Sequence, residues 1–503
     1  MKVLVTGGTG VVGQATVTAL TEAGHTVRLL SRNAARDSRE WPAGVEPWPG
    51  NVADAGSLVG SASGCDAVLH VVGIVEETPP DATFERVNVA GTRSILQEAE
   101  RAGVGTFVFV SSLGADRGHS DYHKSKAAAE AIVRSFRGKW VICRPGSVYG
   151  PGDEQVSMIL KMVRTLPAIP LLGAGDQAFQ PVWHEDLGKA LAQVIERDDL
   201  SGRTLDMAGP EQTTQNDLID RFSKITDRHP LRVPVPEAIA TLGTKIASMF
   251  GVETPLNEDQ LKMIGEGNVI RADQVNALET EFDLVLTPLD VGLRKLADAQ
   301  PELTPADGVG DLQRKRFWAD IYGTAYQAND LLTVFRRRFA TILPLEVSAE
   351  PGTPTELQRG ATLTMSLPLR GNIQVRVEEI TDNSVTLSTL DGHPLAGSVT
   401  FLFQQRGPAV RFEVRVHDRP ATLPDLIAMR TVGDLIQNAN WEATVERMIA
   451  ETNGTAPKGV EREIVTLDDA EAAEVQRWLE ALVMARKRES HGTAVQAEAR
   501  ASM

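Results

Sequence analysis

The chain has 503 residues, with 51 basic and 67 acidic side chains, a formal net charge of −16, 42% hydrophobic residues and 23% charged ones. At roughly 100–200 residues per domain this length predicts two to four domains, and the balanced composition excludes a disordered or fibrous chain. Acidity is spread along the chain, which makes nucleic acid or an anionic membrane a poor partner. The apolar stretch around Cys65–Val75 is far shorter than the roughly 20 residues of a membrane span, so no stable insertion is expected.

The first 150 residues alternate strand and helix. Val3–Thr6 reads as a strand ending in a glycine loop, and Val11–Glu22 as the helix after it. Further strands are expected at Thr26–Leu30, Ala67–Val72, Thr106–Ser111 and Trp140–Arg144, with helices at Phe84–Ala102 and Ser125–Phe136. Fully apolar strands between amphipathic helices predict a doubly wound parallel sheet covered on both faces. From Pro151 to about Leu296 the elements shorten, as in a small substrate lobe. Cys65 and Cys143, with no CxxC spacing and no basic-then-apolar leader ahead of Val3, read as buried thiols of a reducing, cytoplasmic compartment. Two cysteines are too few for an expected zinc site.

Residues 299–312, rich in proline, glycine and acid, read as a linker between a domain over 1–298 and a second one over 313–487, with a flexible tail at 488–503. The second domain is expected to open with a helix over Gln313–Phe339. Period-2 strands follow at Thr362–Pro368, Asn372–Glu379, Ser384–Leu390, Ser398–Gln405 and Ala409–His417, then a long helix from about Leu423 to Ala450. That is an α+β arrangement.

The strongest motif is Thr6-Gly7-Gly8-Thr9-Gly10-Val11-Val12-Gly13, between the first strand and the first helix. Gly7 permits a tight turn, Gly10 admits a pyrophosphate and Gly13 lets the helix close on the sheet, with the helix N-terminus facing the phosphates. After the second strand, where an acid would grip an NAD ribose, the chain has Ser31-Arg32-Asn33, with Arg36 nearby. A guanidinium suits a 2′-phosphate, which favours NADP(H). Tyr122 and Lys126 lie one turn apart at the start of a helix. A tyrosine can donate a proton to a developing alkoxide, and a neighbouring lysine would lower its pKa.

These residues carry a resemblance. TGGTGVVG, Asn88 in VNVAGT, Ser111-Ser112 after a strand, YHKSK and RPGSVYGPGD resemble the extended and atypical short-chain dehydrogenase/reductases (SDRs). Gln180–Leu187 (QPVWHEDL) and TPLNEDQLKMIGEGNVI are similar to the branch that contains the NADPH-binding accessory subunit of respiratory complex I. The resemblance covers about residues 1–297 and implies a Rossmann fold. It also implies NADP(H) held by Gly7, Thr9, Gly10, Val11, Val12, Gly13, Ser31, Arg32, Asn51, Val52, Val72, Gly73, Lys126 and Pro145, with Tyr122, Lys126 and Ser112 catalytic. Ser111 is the alternative serine. In the complex I branch the implied role is a bound cofactor, so two readings stand: a carbonyl reductase acting on an apolar small molecule, and a cofactor-binding scaffold or redox sensor. A homodimer through a helix pair is also implied, unless the second domain covers that surface.

In the second domain, TLDGHPLAGSVTFLF and FEVRVHDRPATLPDL resemble a START-like helix-grip family, which implies a curved antiparallel sheet around a helix and an apolar ligand of lipid or quinone type. His393, Arg419 and Gln437 are its candidate polar groups, each read first as structural. His184, beside Glu185 and Asp186, reads first as a helix-end packing residue, and Arg336-Arg337-Arg338 as the solvated face of a helix.

Overall fold

The computed structural model describes residues 1–34, 38, 41–42, 44–235, 268–344, 356–367, 371–428 and 433–501. Arg36 and most of TPLNEDQLKMIGEGNVI lie outside them. The chain divides into two compact units. The first contains residues 1–160, 168–222 and 231–297, and the second residues 161–167, 223–230 and 298–503.

In the first unit seven parallel strands form one sheet: β1 (Lys2–Thr6), β2 (Thr26–Ser31), β3 (Glu46–Pro49), β4 (Ala67–His70), β5 (Thr106–Val110), β6 (Lys139–Pro145) and β7 (Arg203–Met207). Their order is β7-β6-β5-β4-β1-β2-β3. The order reverses between β1 and β4, so the loops after these two strands diverge and leave a crevice at their carboxyl ends. Helices α1 (Val11–Glu22), α2 (Gly91–Ala102), α3 (Asp121–Val133) and α4 (His184–Val194) belong to this unit. The sheet is buried on both faces. Val3, Val5, Leu29 and Val108 join one apolar cluster, and Leu4, Leu30, Val68 and Phe107 the other. Both cysteines are buried free thiols, and burial pushes Cys143 up to about 12.

The second unit is an antiparallel sheet with helices. Its long strands are β8 (Gln313–Tyr322), β9 (Thr362–Leu367), β10 (Gly371–Ile380), β11 (Ser384–Leu390), β12 (Leu395–Arg406), β13 (Ala409–Pro420) and β14 (Glu461–Thr466), in the order β9-β10-β11-β12-β13-β8-β14. Helices α5 (Ala328–Ile342) and α6 (Asp434–Glu451) contribute to its apolar core. Phe335 of α5 is fully buried, with ring centroids 4.6, 5.5 and 5.8 Å from Phe401, Phe403 and Phe412. Helix α7 (Asp469–Ala501) makes contacts with β10 and runs through the segment expected to be a flexible tail.

Two expectations change. The helix expected over 313–339 is a strand followed by a helix. Lys315, Phe317, Ala319 and Ile321 are buried at every second position of β8, and the basic Arg314-Lys315-Arg316 run hides that alternation. The 299–312 segment is built into the second sheet, where Glu302–Leu303 pairs with the end of β11. His393, Arg419 and Gln437 all have protein partners. His393 Nδ1 lies 3.0 Å from the Leu395 N–H, Arg419 donates to the Gly310 carbonyl at 3.1 Å, and Gln437 bridges Lys315 and Asp418.

Candidate functional site

The glycine loop has the geometry its sequence asks for. Gly7 stands at φ +74° with room for no side chain: a Cβ there would lie 2.8 Å from the Val72 nitrogen. A Cβ on Gly13 would meet the Gly7 carbonyl at 2.1 Å, so the first turn of α1 closes directly on the loop. Gly10, the N-cap, is different. Its nearest protein neighbour would be 3.8 Å away and it is exposed. No side chain caps α1 and no acid lies in its first turn, so the amides of Val11, Val12 and Gly13 stay available to an anion. This is a cradle of the right shape for a pyrophosphate, and the dinucleotide fits it. Thr9 is exposed beside it, its carbonyl accepting from Gln14 Nε2 at 2.9 Å.

At the end of β2 Ser31 is buried, while Arg32 follows it on the surface. After β3 the Asn51 amide N–H donates to Ser57 Oγ at 2.9 Å and its Oδ1 accepts from the Ala53 N–H at 3.1 Å, which holds the loop in a tight turn. Val52 packs into the core with Leu4 and Leu30. Val72 and Gly73 follow β4, and Pro145 ends β6, where its carbonyl accepts from the Leu113 N–H at 2.8 Å.

The bond to Leu113 continues the β5–β6 pairing beyond Val110, and Ser112, on that extension, hydrogen-bonds the Tyr122 side chain despite only ten positions of separation. Ser111 faces elsewhere, donating to Glu130 Oε1 at 2.7 Å. Ser120 caps α3 by accepting from the His123 N–H, and the first turn of α3 then carries Tyr122 and Lys126 on one face. All three side chains are buried: Ser112 is 7% exposed, Tyr122 8% and Lys126 4%. Lys126 Nζ donates to the Val110 carbonyl at 3.0 Å and stands 5.1 Å from the Phe109 ring centroid.

Burial dominates the phenol and pushes Tyr122 above its ordinary value, opposed by the Ser112 hydrogen bond. Burial also brings Lys126 itself down to about 8, with the Glu130 carboxylate acting to keep it charged.

Residues not singled out as catalytic from the sequence brace the pair. Asn88, in a wide helical turn at Glu85–Ala90, clasps the backbone of Ile74 through both amide atoms, at 2.9 and 3.1 Å, and donates to Ser125 Oγ at 2.9 Å. Glu130 takes Arg144 in two bonds of 2.7 Å each, plus Ser111 and Arg134. His70, at the end of β4, is fully buried. A lone histidine in an apolar strand gives no local signal of a role, which is why sequence reasoning passes it over. His184 opens α4 and packs on Gly150, where a Cβ would lie 2.1 Å from its ring, in accord with the structural reading.

Residues 3–208 match the NAD dependent epimerase/dehydratase family. This part of the chain is an NAD(P)-binding Rossmann domain of the epimerase and SDR-like kind. The chain is 33% identical over 171 residues to a ceramide reductase of Caulobacter vibrioides, covering 34% of this chain and 53% of that protein. It is 26% identical over 285 residues to NADH dehydrogenase (ubiquinone) 1 alpha subcomplex subunit 9, mitochondrial, of Arabidopsis thaliana, covering 55% and 69% of the two. Among solved structures, a triphenylmethane reductase of Citrobacter sp. complexed with NADP(H) superposes with a TM-score of 0.48 at 19% identity, over 59% of this chain and all of that one. The chain thus spans about half of the ceramide reductase and about two thirds of the complex I subunit.

Proposed function

We propose that the first unit is an NADPH-dependent reductase of a carbonyl-type group on an apolar small molecule. The observation that carries this reading is the buried set Ser112, Tyr122 and Lys126 beside a glycine loop whose helix N-terminus is open. Val11, Val12 and Gly13 would hold the pyrophosphate, Arg32 the 2′-phosphate and Lys126 the nicotinamide ribose. When bound, the dinucleotide supplies the hydride. Ser112 would hold the carbonyl oxygen, and Tyr122 would pass it the phenolic proton as negative charge develops there. A phenol held above its ordinary pKa is protonated throughout the working range, which suits donation and disfavours the reverse oxidation. The name of the ceramide reductase adds support for an apolar substrate.

NADPH should bind more tightly than NADH, and Arg32→Ala should erase the difference. Tyr122→Phe should keep NADPH affinity and lose reduction of a panel of apolar ketones and quinones. Equal affinity of the native protein for both cofactors, or full reduction by Tyr122→Phe, overturns the reading.

The second reading is a scaffold or redox sensor that holds NADPH without turnover. Its support is the likeness to a complex I subunit. On this reading Tyr122→Phe changes nothing measurable. For the second unit we carry forward a START-like helix-grip domain that presents an apolar ligand. The antiparallel sheet with α5 and α6 on its apolar core supports it. Ligands retained through purification, identified by mass spectrometry, test it, and an empty domain counts against it.

A further inference from the structure

One buried group near the site remains without a part in the mechanism. His70 is fully buried, its ring stacked 5.7 Å from Phe109, and both its nitrogens are hydrogen-bonded to hydroxyls. Nδ1 lies 2.6 Å from Thr6 Oγ1 at the entry to the glycine loop, and Nε2 lies 3.1 Å from Thr92 Oγ1.

The pattern of donors decides where the proton sits. The Thr92 hydroxyl gives its one hydrogen to the Asn88 carbonyl at 2.6 Å, so it can offer His70 only a lone pair. Nε2 must then carry the proton, Nδ1 must be bare, and Thr6 must donate to it. From Thr92 the bonds continue. Asn88 Nδ2 donates to Ser125 Oγ at 2.9 Å, and Ser125 Oγ donates to the Tyr122 carbonyl at 2.7 Å. These bonds, which pass through the main-chain carbonyl and then the side chain of Asn88 and end on the main-chain carbonyl of Tyr122, link the strand end that opens the glycine loop to the backbone of the helix that carries the proposed proton donor. The histidine stays neutral, because burial and the nearby Lys126 cation bring its pKa down to about 3. A charged imidazolium would need an acceptor at Nδ1, and Thr6 would have to turn its hydroxyl away.

We propose that His70 is a positioning residue, held as the Nε2–H tautomer, that fixes the glycine loop and the Tyr122-bearing helix relative to each other. The inference rests on the cofactor reading above for its consequence, though not for its geometry. A strand-end leucine or phenylalanine would leave the Thr6 hydroxyl without its acceptor and Thr92 without the donor to its lone pair, although Thr92 would keep its bond to the Asn88 carbonyl.

Two kinds of measurement test it. In protein labelled with ¹⁵N-histidine, the His70 resonances, identified by their loss in His70→Phe, should show a protonated Nε2 and a bare Nδ1 unchanged from pH 5 to pH 9. A protonated Nδ1, or titration within that range, overturns the proposal. This arm needs no cofactor, so a native protein that fails to bind NADPH sinks the cofactor reading and leaves the tautomer to decide His70. In the second arm NADPH binding is read by nicotinamide fluorescence. His70→Phe should weaken it ~10- to 100-fold, while His70→Gln, which can keep a donor toward Thr92, should restore most of it. Thr92→Val leaves the histidine in place and should behave like His70→Phe, which keeps the test alive if the phenylalanine variant does not fold. Native-like NADPH affinity in a folded Thr92→Val or His70→Phe variant overturns the proposal, as does a His70→Gln variant no better than His70→Phe.

Discussion

Gly73 and Lys126 are packed so closely that a Cβ on the glycine would stand 2.6 Å from the lysine Nζ and 3.2 Å from its Cε. The glycine at the end of the β4 loop is therefore there for the ammonium, which has little other space: it is 4% exposed and held on the Val110 carbonyl. Gly73→Ala should fold, since no positive φ is needed at this position, and the methyl should push the ammonium off its carbonyl. We expect turnover to fall ~10-fold or more through misplacement of the cation, with a melting temperature close to that of the native protein. Native turnover in this variant would mean that Lys126 need not stand where it does.

The lowered value of Lys126 gives a pH signature. If the charged ammonium is what holds the cofactor ribose, NADPH affinity and turnover should decline as the pH rises through about 8. For stability the sign is opposite. The folded value lies below the ordinary 10.5, so the unfolded chain binds the extra proton between the two, and the contribution of this group to stability rises with pH from about 8 upward. Lys126→Met removes both effects. A titration of NADPH affinity and melting temperature between pH 6.5 and 9.5 reads them together, and a flat affinity profile in the native protein would dissociate the ammonium from cofactor binding.

How much of this was legible depends on whether the information was local. The glycine loop was readable because Gly7 and Gly13 answer to contacts within a few residues or to the adjoining strand. Tyr122 and Lys126 were readable as one turn of helix. Ser112 was less so, because its bond to Tyr122 joins the extended end of β5 to the start of α3, a contact that the ten intervening positions do not announce. His70 was opaque, since its role comes from Thr6 and Thr92 on either side of it in space. In the second unit β8 was misread as helix because Lys315, a charged residue, fills an inward slot. It is accepted there by Asp418 at 3.2 Å and by Gln437, neither of which a local window can see. The antiparallel strands from 384 to 420 were readable by alternation and turn signals alone.

The aromatic core of the second unit offers an independent handle. Phe335 is fully buried among Phe339, Phe401, Phe403 and Phe412. Phe335→Ala leaves a cavity that so many fixed rings cannot fill, at a cost of about 3–5 kcal/mol. The loss should appear in the thermal transition of the second unit, while NADPH affinity in the first is kept. Loss of NADPH binding in step with that transition would show that the two units do not unfold separately.

Glu130 is the anchor under α3, and its removal should separate architecture from chemistry. Its carboxylate is 1% exposed and accepts from Arg144, Arg134 and Ser111. Burial works against the charge, but the Arg144 and Ser111 hydrogen bonds outweigh it and hold the carboxyl below its ordinary value. A depressed carboxyl stabilises the fold above pH 4.5, and that stabilisation fades as the pH drops through the folded value. Glu130→Gln keeps the shape but leaves the Arg144 guanidinium short of its main counter-charge, with Asp116 at 3.3 Å as partial compensation. We expect a loss of about 3 kcal/mol at neutral pH, and less at a pH low enough to protonate the native carboxyl. The same change removes the charge that keeps Lys126 protonated, so the pH at which NADPH affinity declines should move down. Denaturant melts at the two pH values check the first expectation, and the affinity profile checks the second. A variant that loses stability yet keeps the native profile would confine Glu130 to holding the helix.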